Sequence, residues 1–99
     1  MGAKLVIAPE AEVDLEEAYA WYESRRVGLG EKFLTSVDVC IRSVCRSRKT
    51  GRQVHGTFRR ALVRRFPYAV FYDFAEETVT VYCIMHTARD PEAWRERLS

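Results

Sequence analysis

The sequence lacks long hydrophobic runs, and its 99 residues include few cysteines and histidines, three and two respectively. No apolar stretch approaches the roughly 20 residues that cross a bilayer. The apolar segment Leu5–Ala8 is also too short to act as a signal peptide. We therefore expect a protein of the cytoplasm that does not associate with membranes.

The three cysteines form no C-x-x-C pair. Cys40 and Cys45 lie five residues apart on one predicted helix, where their side chains diverge beyond the reach of a disulfide. Neither His55 nor His86 lies at ligand spacing from a cysteine. We expect reduced, mostly buried thiols, as is typical of a cytoplasmic protein, and neither a metal nor a cofactor.

Acidic residues are missing from one long stretch of the chain. The formal net charge is +2, but residues 39–72 hold nine basic residues and no Asp or Glu, so the rest carries seven net negative charges. A surface kept only for solubility would mix both signs. Such a segment creates a strong local positive potential, which suits an acidic protein segment, RNA or DNA equally well. The basic residues are Arg42, Arg46, Arg48, Lys49, Arg52, Arg59, Arg60, Arg64 and Arg65.

Hydrophobic periodicity predicts a single α+β domain over residues 1–99. After a short strand at Leu5–Ala8, apolar residues recur three and four apart in two segments, which predicts two helices. The turn Val27–Gly30 separates them, so we expect an antiparallel helical hairpin.

The second half of the chain is typical of sheet. Three strands are predicted, at Phe58–Val63, Tyr68–Phe74 and Thr78–Met85. Short turns between them favour a small antiparallel sheet against which the helices pack. Pro67 cannot donate a ladder hydrogen bond, so it should mark a strand start or a bulge.

Several short motifs follow one another in a defined order. The first half contains Asp14-Leu15-x-x-Ala18, Trp21-Tyr22-Glu23 and Gly28-Leu29-Gly30-x-x-Phe33; the second contains Arg59-Arg60-x-Leu62, Phe66-Pro67-Tyr68-x-Val70-x-Tyr72 and His86-x-x-Arg89-Asp90-Pro91-x-x-Trp94. This ordered set spans nearly the whole chain and resembles the RelE/ParE toxins of type II toxin–antitoxin systems, also known as plasmid-stabilisation proteins. The resemblance implies a β-α-α-β-β-β fold, growth inhibition, and a cognate antitoxin that holds the toxin in a hetero-oligomer.

The resemblance also implies one of two activities. RelE-like members cut messenger RNA on the ribosome, and here their catalytic groups would be His86, Arg89 and Arg59. Two other RelE positions are occupied by Ala61 and Ala69, which cannot transfer protons or hold phosphate. The Trp-Tyr-Glu, Leu-Gly-x-x-Phe and Phe-Pro-Tyr motifs more closely resemble the ParE-like branch, which inhibits DNA gyrase by binding. An inactive member of the family that binds nucleic acid is a third alternative.

Four arginines are the predicted contacts to the antitoxin or the target: Arg59, Arg60, Arg64 and Arg65. On one continuous strand, Arg59 and Arg65 would share one face while Arg60 and Arg64 would share the other. Both faces would then carry charge, and one of them would be open to a partner.

Overall fold

The computed structural model describes residues 3–47, 49–88 and 93–98. It has three helices and a five-stranded mixed sheet, which confirms the α+β class. The elements are β1 (Lys4–Ile7), α1 (Pro9–Arg25), α2 (Leu29–Arg46), β2 (Arg52–His55), β3 (Phe58–Leu62), β4 (Tyr68–Ala75), β5 (Thr78–His86) and α3 (Ala93–Leu98). Within the described residues, no helix combines the length and the apolar character needed to cross a membrane.

The strand order in the sheet is β1-β5-β4-β3-β2. The meander from β2 to β5 is antiparallel, whereas β1 joins the edge parallel to β5, so the expectation of an entirely antiparallel sheet is wrong for that strand. Strand β2 was not predicted, because three of its four residues are polar and exposed. No alternation of apolar and polar residues therefore marks it in the sequence.

The helical hairpin is fastened at its turn by one side chain. The carboxylate of Glu23, near the end of α1, accepts hydrogen bonds from the backbone N–H groups of Gly28 and Gly30 at 3.0 and 2.9 Å. It thus satisfies donors that the first turn of α2 leaves free. Gly30 must be glycine here, because a Cβ atom would lie 2.8 Å from the ring of Tyr19.

Apolar side chains cover both faces of the sheet. The hairpin packs on one face over a core that includes Tyr22, Phe33 and Tyr72. On the other face, the ring of Trp94 from α3 stacks on Phe71 with centroids 5.4 Å apart. The described residues contain no buried polar or charged side chain. The core therefore consists of two apolar layers separated by the sheet.

The connection between β3 and β4 differs from the prediction. Strand β3 ends at Leu62, so Arg64 and Arg65 lie in the following loop and not on a strand face. Arg65 takes a left-handed backbone conformation, with φ of 70°, which a regular strand cannot include. Strand β4 begins directly after Pro67, as expected for a residue without an N–H group.

Candidate functional site

A cleft of about 590 Å³ opens between α2 and the last residues of β3. It exists because β2 is shorter than its neighbour: Arg52 pairs with Arg60, while β3 continues to Leu62. Helix α2 approaches this uncovered stretch through Cys40, whose thiol lies 3.8 Å from the carbonyl oxygen of Ala61 and 3.7 Å from that of Leu62. We call this space the basic cleft.

Three guanidinium groups give the basic cleft its charge, those of Arg52, Arg60 and Arg64. No acidic residue is among its lining residues within the part of the chain that the structure describes. Aliphatic surface lies beside these charges, since Val39 and Leu62 are 51% and 62% exposed. The remaining lining residues include three hydroxyl side chains, from Ser36, Ser43 and Thr50. The cleft can therefore attract an anionic group and cover an aliphatic one.

Arg59, which sequence analysis assigned to this surface, has a structural contact instead. Its Nη1 donates to the carbonyl oxygen of Gly51 at 2.7 Å. The N–H of Gly51 donates to the hydroxyl of the buried Tyr72 at 2.9 Å. Burial raises the pKa of Tyr72, and the Gly51 bond and the charge of Arg59 partly offset the rise. Arg59 thus anchors the segment that leads from α2 into β2.

The segment that Arg59 anchors requires a glycine at position 51. An added Cβ atom would lie 2.7 Å from the carbonyl oxygen of Arg60 and 2.8 Å from the hydroxyl of Tyr72. Because backbone and a buried ring cannot move away cheaply, a side chain would push the segment off the sheet. The close approach therefore fixes one wall of the basic cleft.

The arginines of the β3–β4 loop diverge. Arg64 is exposed at the basic cleft, whereas Arg65 lies with Phe66 beside the first turn of α2, in a separate cleft of about 510 Å³. Of the four arginines predicted to contact a partner, the structure brings two together at the basic cleft, Arg60 and Arg64. It adds Arg52, which sequence analysis counted only as part of the basic stretch.

His86 lies at a different place, in a cleft of about 370 Å³ between α1 and the end of β5. Its neighbours in this cleft include the carboxylates of Asp14 and Glu17 and the indole of Trp21. The Nδ1 atom of His86 accepts a hydrogen bond from the N–H of Ala88 at 3.1 Å, so the neutral ring carries its proton on Nε2. We call this space the acidic cleft.

The two ribonuclease candidates among the described residues, Arg59 and His86, lie on different strands. Arg59 pairs with Tyr72, and His86 pairs with Tyr68 on the opposite side of β4. With about 3.3 Å per residue and about 4.8 Å per strand, their Cα atoms lie roughly 16 Å apart. Arg89, the third candidate, lies outside the described residues.

Asp14 is a half-buried residue whose role the sequence did not reveal. One oxygen of its carboxylate accepts from the N–H of Ile84 at 3.0 Å, and Arg97 of α3 binds both oxygens at 3.2 and 3.0 Å. The hydrogen bond to Asp14 raises the pKa of Arg97. This contact joins α1, β5 and α3, and no local spacing could reveal it because Asp14 and Arg97 are 83 residues apart.

The three cysteines form no disulfide in the structure. All three are free, and burial raises the pKa of Cys40 to about 11 and that of Cys83 to about 12. Among residues 3–47, 49–88 and 93–98, no three His, Cys, Asp or Glu side chains come together in a way that could hold a metal ion.

Two solved structures with this architecture come from toxin–antitoxin systems. A chain of the chromosomal ParDE toxin–antitoxin system from P. aeruginosa superposes with a TM-score of 0.77 and 15% identity, covering 85% of this chain and 95% of that one. A chain of the toxin–antitoxin complex RelBE2 from Mycobacterium tuberculosis gives a TM-score of 0.62 and 16% identity, with 87% and 99% covered. At these identities the similarity shows a shared fold.

The family is shown by the sequence itself. The sequence profile of the ParE toxin of the type II toxin–antitoxin system parDE matches residues 5–91. No curated protein sequence shows significant similarity to the chain. The match covers most of the chain, and the protein belongs to the ParE toxin family.

Proposed function

We propose that this type II toxin inhibits DNA gyrase by binding it, and that a cognate antitoxin silences it within a cytoplasmic hetero-oligomer. Membership of the ParE family supports the gyrase target. The observation that carries the proposal is the separation of Arg59 from His86, the two candidate nuclease groups among the described residues. A ribonuclease needs its proton-transfer groups and its cations around a single phosphate.

The electrostatic surroundings of His86 point the same way. This histidine lines the acidic cleft with Glu17, whose charge would repel an RNA phosphate, and with Asp14, whose carboxylate is bound by Arg97. The basic cleft, where a phosphate could be held, has among its described lining residues no side chain that titrates near neutrality. Arginine stabilises an anion but is a poor proton acceptor. Among the described residues, the three arginines of the basic cleft and His86 therefore line different clefts.

Silencing by an antitoxin requires a surface that a second protein can cover. The basic cleft meets this need with positive charge and exposed aliphatic side chains. It also fits the acidic segment considered from the sequence. The same surface could not serve the target while an antitoxin occupies it, which gives a simple physical basis for neutralisation.

Two assays on the purified protein test this function. We expect inhibition of DNA supercoiling by purified bacterial gyrase, relief of the inhibition by the antitoxin, and intact messenger RNA in a ribosome-dependent cleavage assay. In cells, induction should cause filamentation and a DNA-damage response.

Cleavage of ribosome-bound messenger RNA that disappears in His86→Ala would establish the RelE-like alternative instead. Absence of both activities, together with direct binding to DNA or RNA, would identify an inactive member of the family that binds nucleic acid. Each of these outcomes refutes the gyrase proposal.

A further inference from the structure

We propose that the basic cleft receives an acidic–aliphatic segment of the antitoxin, with a carboxylate held by Arg60 and Arg64 and an aliphatic side chain packed between Val39 and Leu62. The proposal rests on the antitoxin partnership proposed above and specifies where and by what chemistry it is made.

The charge in the cleft calls for an anion. Arg52 and Arg60 are directly opposite each other on β2 and β3, and Arg64 follows two residues after β3. The structure pairs none of the three with a carboxylate among residues 3–47, 49–88 and 93–98. Like charges placed so close repel one another, and a bound carboxylate relieves this repulsion through bidentate hydrogen bonds.

The apolar part of the cleft distinguishes a protein from a nucleic acid. Val39 and Leu62 are 51% and 62% exposed, next to the buried Cys40 and Ala61. Non-specific binding of single strands relies on aromatic rings for base stacking, and no aromatic residue is among the described lining residues. Aliphatic surface beside arginine is instead covered well by a peptide with alternating acidic and aliphatic side chains.

The other side of the molecule would reject the same segment. The acidic cleft presents the carboxylate of Glu17, which repels the carboxylates of an acidic segment. The two clefts thus favour partner segments of opposite charge. Of the two, the basic cleft is the one that attracts an acidic segment.

Two exposed valines provide a matched test. Val39 lies on α2 at the basic cleft and Val13 lies on α1 away from it, and both are 51% exposed. We would measure the Kd of Val39→Asp and Val13→Asp for the purified product of the reading frame adjacent to this chain's gene. We expect Val39→Asp to weaken binding by about 30-fold or more, because it places a repelling charge at an interface core. Val13→Asp should stay within about threefold.

A charge pair tests the arginines. Arg64→Glu should weaken binding by about 10-fold or more and reduce its dependence on salt, whereas Arg26→Glu, at an exposed position in the hairpin turn, should change little. Circular dichroism melting of each variant confirms that it is folded.

The outcomes separate the two proposals. If the wild-type protein binds but Val39→Asp and Arg64→Glu bind as well as their controls, the cleft assignment is wrong and the antitoxin partnership survives. If the wild-type protein does not bind, both proposals fail. If a single-stranded oligonucleotide competes for the cleft and Val39→Asp leaves its binding intact, the cleft is a nucleic-acid site and the assignment is overturned.

Discussion

The basic and acidic clefts lie on opposite flanks of the same helical hairpin and are built by the same device. In each, a strand continues past the end of its neighbour: β3 beyond β2, and β5 beyond β1. In the basic cleft the uncovered strand is left beside exposed valine, leucine and arginine side chains. In the acidic cleft Asp14 covers it by binding the N–H of Ile84 and the guanidinium of Arg97.

The basic cleft is therefore a surface that a partner can cover, whereas the chain's own side chains cover the acidic cleft. The carboxylate of Asp14 is satisfied internally and holds α3 in place. The guanidinium groups of the basic cleft have no carboxylate partner in the described chain, and their neighbours are aliphatic. We therefore expect substitutions in the acidic cleft to change folding stability and substitutions in the basic cleft to change binding.

The largest expected effect on stability is at the floor of the acidic cleft. Tyr68 is 5% exposed and contacts Phe33 and Tyr22. Replacing it by alanine should lower the free energy of unfolding by about 3–5 kcal/mol through loss of burial and a residual cavity. Chemical denaturation measures this. Trp21→Ala is the control in the same cleft, because Trp21 is 43% exposed and should cost about 1 kcal/mol; equal losses would mean that burial does not distinguish the two rings.

Asp14→Ala comes next. It leaves the N–H of Ile84 and the guanidinium of Arg97 without their acceptor, and the expected loss in urea denaturation is about 2–3 kcal/mol. Asp14→Asn keeps an acceptor and should recover part of the loss. A fully stable Asp14→Ala protein would contradict the view that the acidic cleft is closed by this carboxylate.

Replacing Arg59, which anchors the segment beside the basic cleft, should have a smaller effect on the free energy of unfolding. Arg59→Met removes the bond to the carbonyl of Gly51 and should cost about 1–2 kcal/mol of unfolding free energy. Arg64→Met, at an exposed position, should stay within about 0.5 kcal/mol. If Arg64→Met were the more destabilising of the two, the division between an anchoring and a binding arginine would be reversed.

Thiol chemistry gives the smallest contrast. Burial raises the pKa of Cys40 to about 11 and of Cys83 to about 12, whereas Cys45 is less buried. Alkylation requires the thiolate, so the rate should rise with pH, and at pH 8 the expected order is Cys45, then Cys40, then Cys83. Peptide mapping by mass spectrometry measures this order, and Cys83 reacting first would show that α3 separates readily from the sheet face on which Cys83 lies.

Local patterns predicted the parts of the fold that are regular. The spacing of apolar residues located both helices, and alternation located β3, β4 and β5 to within a residue or two at each end. Strand β2 carries no such pattern, because Arg52, Gln53 and His55 are exposed at the sheet edge.

The candidate site was harder to predict because it depends on contacts between distant segments. Counting positions placed Arg64 and Arg65 on a strand, but the left-handed conformation of Arg65 ends that alternation. The basic stretch correctly indicated a charged surface. Within that stretch, Arg59 anchors the backbone while Arg60 and Arg64 line the basic cleft. This division depends on where Gly51 lies, and no local sequence rule specifies its position.

Photocrosslinking from α2 tests directly whether the antitoxin occupies the basic cleft. A benzophenone amino acid is placed at position 39 or at position 13 of the toxin, and each protein is irradiated in complex with the antitoxin. We expect a crosslink to the antitoxin from position 39 and none from position 13. A crosslink from position 13 alone would contradict it, because the antitoxin would then cover α1 and leave the basic cleft open.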